Sequence, residues 1–134
     1  MKVHGHCHCG GVKYEAEVDP ARAQVCHCTD CQALSGAPFR VSITAPRETF
    51  RIVSGTPKIY VKTAESGNKR AQAFCGICGS PIYSSSVDAE PPAYSLRVAC
   101  LDERDELPPR RQIWCASAID WAQDITELPQ VERQ

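Results

Sequence analysis

The chain has 134 residues, 43% hydrophobic and 23% charged, with a formal net charge of -1. That length suits one domain, read as residues 1–134 with a polar tail over about 127–134, and it is enough to bury roughly two thirds of the unfolded surface. No apolar run is long enough to span a bilayer, the charge lacks the basic excess of a nucleic-acid binder, and "MKVHGHCHCGG" has no signal-peptide core, so the expectation is a cytoplasmic protein with neither membrane nor nucleic-acid partner.

Taken in chain order, the elements read as strands. Val12, Tyr14, Ala16 and Val18 alternate with Lys13, Glu15 and Glu17, the period of a half-buried strand. Gly10-Gly11 before it is a two-residue hairpin signal, which would place Cys7–Cys9 on the antiparallel partner. "TDCQAL" alone looks helical, with Thr29 or Asp30 as N-cap. Phe39, Val41 and Ile43 then alternate with Arg40, Ser42 and Thr44 until Pro46. "TFRIV" and "KIYVKTA" follow, then "KRAQAFC" after the turn "ESGN", then "PIYSSSV", "AYSLRVACL" and "QIWCASAI". Lys58, Lys62, Lys69, Arg70, Arg110 and Arg111 read as solvated strand faces, with a small anionic ligand as the alternative, and Leu128 reads as tucked against the body. The sum is an all-β domain of about eight short strands.

Nine cysteines, an odd number without a secretory signal, speak against a disulfide framework and for metal or redox chemistry. Residues i and i+2 of a strand share a face, so Cys7 and Cys9 offer two thiols side by side. "FCGICGS" supplies a second pair, Cys75 and Cys78, at zinc-knuckle spacing with flanking glycines. The two pairs together make a four-thiolate structural zinc site; iron is the alternative for the same donors, and a thioredoxin-type redox pair is opposed by the absence of a helix after Cys78.

Cys26, Cys28 and Cys31 form a second cluster that stops at three ligands. His27, between two of them, points to the opposite face of an extended backbone; Cys100 reads as a core thiol and Cys115 is ambiguous. The fourth position is then water or an exogenous ligand, the pattern of a reactive site, unless Cys100 or Cys115 closes it. Three thiolates on Zn2+ leave a net negative centre that suits a guest thiolate better than hydroxide.

"GHCHCGGVKYE", "CHCTDCQALSGAPF", "FCGICGSPIY" and the late "QIWCASAIDW…ELPQVE" resemble, in that order, the glutathione-dependent formaldehyde-activating enzyme (GFA, or centromere-protein-V domain) family. The resemblance implies an Mss4-like (β-tent) fold, a structural zinc on Cys7, Cys9, Cys75 and Cys78, and a second zinc on Cys26, Cys28 and Cys31. It also implies the joining of glutathione and formaldehyde into S-hydroxymethylglutathione, formally a carbon–sulfur lyase run in reverse. Relatives usually carry a histidine where Gln112 precedes Ile113 and Trp114; an amide hydrogen-bonds but does not titrate. The working expectation is therefore a zinc-dependent carbon–sulfur lyase with Cys26, Cys28 and Cys31 at its catalytic centre and a small thiol such as glutathione as partner. Thr29 and Ser35 are nearby hydroxyls, and Trp114 and Phe39 candidate pocket walls. The alternatives are a non-catalytic zinc module that binds a protein partner and a thiol redox switch.

Overall fold

A computed structural model describes the whole chain, Met1–Gln134. It is mostly β, with ten strands and one α-helix. A three-stranded sheet holds β1 (Lys2–His6), β2 (Lys13–Glu17) and β5 (Arg51–Ser54) in the order β1-β2-β5. The larger sheet runs β10-β3-β4-β9-β8-β7-β6. Its strands are β3 (Gln24–Cys26), β4 (Arg40–Pro46), β6 (Lys58–Thr63), β7 (Lys69–Phe74), β8 (Pro81–Ser86), β9 (Ala93–Arg97) and β10 (Arg111–Ile113). Only β10 against β3 is parallel. The helix, α1 (Thr29–Ser35), ends at Gly36 in the left-handed conformation, where the Gly36 amide bonds Gln32 O at 2.9 Å.

One core serves both sheets. Val3, Tyr14 and Ala16 from the small sheet pack with Ile43, Ile82 and Leu96 from the large one, and Phe50, Tyr83 and Tyr94 stack beside them. Leu101 closes the seam, paired to Gly5 across the sheets. The alternation that buries Ile43 and Leu96 turns Arg40 and Ser42 of β4, and Ser95 and Arg97 of β9, to the other face. Direct partners share a face, so the register carries that polar row across the sheet, from Cys26 opposite Arg40 through Ser84 and Gln72 to Lys62 opposite Arg70. Helix α1 lies over this row, with Asp30 bonded to Lys62 at 2.7 Å.

Four expectations are corrected. The hairpin between β1 and β2 does not turn on Gly10-Gly11 alone: its loop runs from Cys7 to Val12, because the Cys7 sulfur takes the Val12 amide (3.2 Å) and Cys7 O takes the Gly10 amide (2.9 Å). Cys7 and Cys9 therefore sit in a turn, not on a strand. The antiparallel partner expected for the Val12–Val18 strand is present as β1, but at Lys2–His6, where only Val3 and a glycine are buried; β3, with three residues, escaped notice. Lys62 is no solvated residue, its side chain being 18% exposed in the pair with Asp30. Leu128 is not tucked in; it stands 62% exposed on a tail without regular structure. No helix is long and apolar enough to cross a membrane.

Candidate metal centres

Two tight turns build the first cluster. The turn after β1 carries Cys7 and Cys9 and closes at Gly10 with φ +77°; the turn after β7 carries Cys75 and Cys78 and closes at Gly79 with φ +79°. An L side chain rarely adopts that backbone, which explains the glycine that follows the second cysteine of each pair. The Gly79 amide bonds Cys75 O at 2.9 Å, and the Ile77 amide points at the Cys75 sulfur at 3.4 Å. Both turns aim inward, and the four sulfurs lie within 4.8 Å of one another, with Cys7 to Cys9 at 3.5 Å and Cys9 to Cys75 at 3.7 Å. Four thiolates about 2.3 Å from a tetrahedral ion stand about 3.8 Å apart, so the donor set and its spacing fit such an ion. The distances are far from a disulfide bond, and all nine cysteines are free.

Amide and hydroxyl donors surround these sulfurs. Bonds from the Ser80 hydroxyl and amide bring Cys78 down to about 5. At Cys7 burial and Cys78 work upward, but the Val12 amide and the Cys9 and Cys75 thiols outweigh them and lower the group. Cys9 goes the other way: the Gly11 amide lowers it, while Cys7, burial and the remaining two cysteines together push it up to about 11. A cation at the centre would favour thiolate at all four.

The second cluster comes from one short segment. Cys26 ends β3, Cys28 caps α1 and Cys31 lies in its first turn. The cap is Cys28 itself, whose sulfur accepts the Cys31 amide at 3.3 Å; Thr29 and Asp30, the expected caps, are the first helical residues. The three sulfurs lie within 4.8 Å of one another, and no fourth histidine, cysteine or carboxylate joins them. The closeness of the Cys26 and Cys31 sulfurs lowers Cys26 against its burial and raises Cys31, which burial raises further. As a donor set the trio suits a thiophilic ion with one side open.

The other sequence candidates divide plainly. His27 is buried with its Nε2 on Gln112 Oε1 at 2.7 Å, away from the trio, and Phe39 packs edge-on against its ring. Gln112 is thus a partner of His27 rather than of the cleft. Cys100 bonds Pro81 O at 3.3 Å, and Cys115 is exposed; neither enters a cluster. Ser35 spends its hydroxyl on Cys31 O at 2.6 Å. Thr29 and Trp114 do line the open side, where Cys28 meets a cleft of about 540 Å³ walled also by Asp30, Lys62 and Ser117. Trp114 is the only non-glycine residue with positive φ, 57°, a strained backbone at the mouth of the site. The strap that carries it is held by the His27 amide on Ile113 O and by Gln32 Nε2 on Ser117 O.

Sequence reasoning missed the two buried arginines of the floor, Arg40 and Arg97. Behind the trio a smaller cavity of about 220 Å³ is lined by Cys26, Cys28 and Cys31 together with Arg40, Arg70, Arg97 and Lys62, without a carboxylate. Burial, then the charge of Arg40, brings Arg97 down to about 9. The available signal was parity: Arg40 and Arg97 occupy the polar phase of two strands otherwise rich in apolar residues.

Fold and clusters define a class: a two-sheet β protein with one closed and one open cysteine site, both able to hold a metal ion. The family described as glutathione-dependent formaldehyde-activating enzyme matches residues 2–117. The chain belongs to that family. It is also similar to the crystal structure of a Rhodobacter sphaeroides protein from structural genomics, at 26% identity and a TM-score of 0.61, covering 84% of this chain and 99% of that one.

Proposed function

We propose that the chain is a zinc-dependent carbon–sulfur lyase that joins or parts a thiol and a carbonyl compound, with S-hydroxymethylglutathione, from glutathione and formaldehyde, as the type of adduct. The observation that carries this reading is the convergence of Cys26, Cys28 and Cys31 with no fourth protein ligand, beside an open cleft. Zinc held by that trio would supply a seat in which a substrate sulfur rests as thiolate.

The reaction balances without a redox partner. In cleavage the adduct hydroxyl gives up its proton, its electron pair forms the carbonyl, and the C–S bond breaks with its pair on sulfur; formation is the reverse. Thr29 and Ser117 bring hydroxyls to the cleft wall, and Trp114 narrows the entrance. His27 holds Gln112 through Nε2 and joins neither the cysteine trio nor the cleft wall, so in this reading the proton of the reaction passes through solvent. In this reading Cys7, Cys9, Cys75 and Cys78 hold a structural zinc that serves the fold, and Cys100 and Cys115 belong to neither site. In this proposal residues 1–134 are one Mss4-like domain working in the reducing cytoplasm, where free thiols persist.

Zinc-loaded protein is expected to bind glutathione by calorimetry and to speed the exchange of formaldehyde with glutathione seen by proton NMR. Equal glutathione affinity in wild type and Cys28→Ser would sink the reading. A second reading, a non-catalytic zinc module for a protein partner, is favoured by the exposed Trp121, Ile125, Leu128 and Val131 near the C-terminus. Unchanged exchange rates together with a stable protein complex would select it.

A further inference from the structure

Arg40 and Arg97 are 6% and 5% exposed, yet no carboxylate answers them. Both guanidinium groups turn to one neutral acceptor, Gln72 Oε1, from Arg97 Nη2 at 2.8 Å and from Arg40 Nη1 at 3.4 Å. The Nε of each has no partner. Buried cations of this kind are disfavoured unless an anion meets them. The thiolates meet part of the charge, because three of them on a divalent ion carry one net negative charge. Lys62 is answered by Asp30, and Arg70 adds a third guanidinium to the same cavity. Positive charge is left over at the floor of the site.

We propose that this floor is an anion subsite, and that the thiol accepted by the three-cysteine cluster carries a carboxylate only a few bonds from its sulfur, seated between Arg40 and Arg97. The proposal rests on the thiol reading above and narrows its substrate class. Spacing sets the length of the molecule. Cys26 and Arg40 are direct partners on neighbouring strands, and both line one small cavity with Arg97, so sulfur seat and guanidinium groups belong to one compact ligand. The cavity of about 220 Å³ admits a short mercaptocarboxylate. Glutathione, whose carboxylates lie further from its sulfur, would extend into the outer cleft instead. Planar forks of two arginines are well matched to a carboxylate and poorly matched to a neutral alcohol.

The test uses full-length, zinc-loaded protein and three probes: 3-mercaptopropionate, 2-mercaptoethanol and propionate. Calorimetry is expected to rank 3-mercaptopropionate about tenfold or more above 2-mercaptoethanol. Arg97→Gln should erase that preference while leaving the metal content per chain unchanged, and Arg97→Lys should keep part of it. Equal affinity for the two thiols overturns the subsite and leaves the thiol reading standing. Loss of metal from Arg97→Gln also overturns it, since the arginines would then serve the thiolates alone. Binding of propionate but of neither thiol, abolished in Arg97→Gln, supports the anion site and removes the thiol reading. If Arg97→Gln fails to fold, the wild-type probe series decides by itself.

Discussion

The two cysteine clusters gather the same side chain in opposite ways, and the difference lies in where the ligands come from. The four-thiol cluster draws from turns 66 residues apart, one leaving the small sheet and one leaving the large, so a metal there ties both sheets together. The three-thiol cluster draws on a single strand–helix junction and ties nothing distant. Closing a long loop costs chain entropy that a metal–thiolate site offsets, whereas a local trio is arranged by the cap of α1 without help. Ligands gathered from afar hold the fold; ligands gathered locally, with one side open, are free to hold something else.

Breaking the far cluster should have the largest effect. Cys75→Ser is expected to lose the closed site and several kcal/mol of stability, on the order of the whole folding free energy, read as loss of a cooperative thermal transition and of one metal per chain. Cys28→Ser should contrast sharply. Serine is itself a favoured N-cap, so α1 persists, the transition temperature moves by only a few degrees, and one metal and the thiol binding go together. A chelator titration followed by metal release and circular dichroism should separate the two clusters in one experiment: the three-thiol site empties first with the fold intact, and unfolding accompanies the second release. Simultaneous loss would erase the distinction between them.

Two smaller effects sharpen the comparison. Trp114→Gly relieves a left-handed backbone costing about 1 kcal/mol and adds unfolded-state entropy of similar size. Stability should hold within about 1 kcal/mol while thiol affinity falls, a separation that calorimetry and thermal melts would expose. Near the closed cluster, Glu103 anchors the strand that leads to Cys7. Burial pushes its carboxyl up, but bonds of 2.8 Å from the His4 amide and imidazole outweigh that and hold it below the ordinary carboxylate range. A carboxyl lowered by folding stabilises above its unfolded pKa of about 4.3 and loses that contribution as pH falls through the lower folded value. The stability gap between wild type and Glu103→Gln should therefore be full above about pH 5 and shrink below it; a gap independent of pH would refute the assignment.

Spacing made the clusters legible because ligand geometry is written locally, in a C-x-C, a C-x-x-C and the glycines beside them. The β character was legible wherever large residues alternate, as from Val12 to Val18. The bounds of β1 were not legible, because Gly5 takes a buried position without a side chain, and β3 was not legible at all, since its identity depends on β4 and β10 on either side. The cationic floor was hidden for another reason. Arg40, Arg70 and Arg97 are far apart in sequence, and only the register of four strands brings them onto one face.

The order of the cysteines along the chain has a consequence for how the protein is made. Synthesis runs from the N-terminus, so a nascent chain exposes Cys26, Cys28 and Cys31 as a full donor set while Cys7 and Cys9 still await Cys75 and Cys78. A metal ion met early finds the trio complete and its rival half built. The last of these cysteines to leave the ribosome, Cys75 and Cys78, are the ones that complete the cluster between the two sheets.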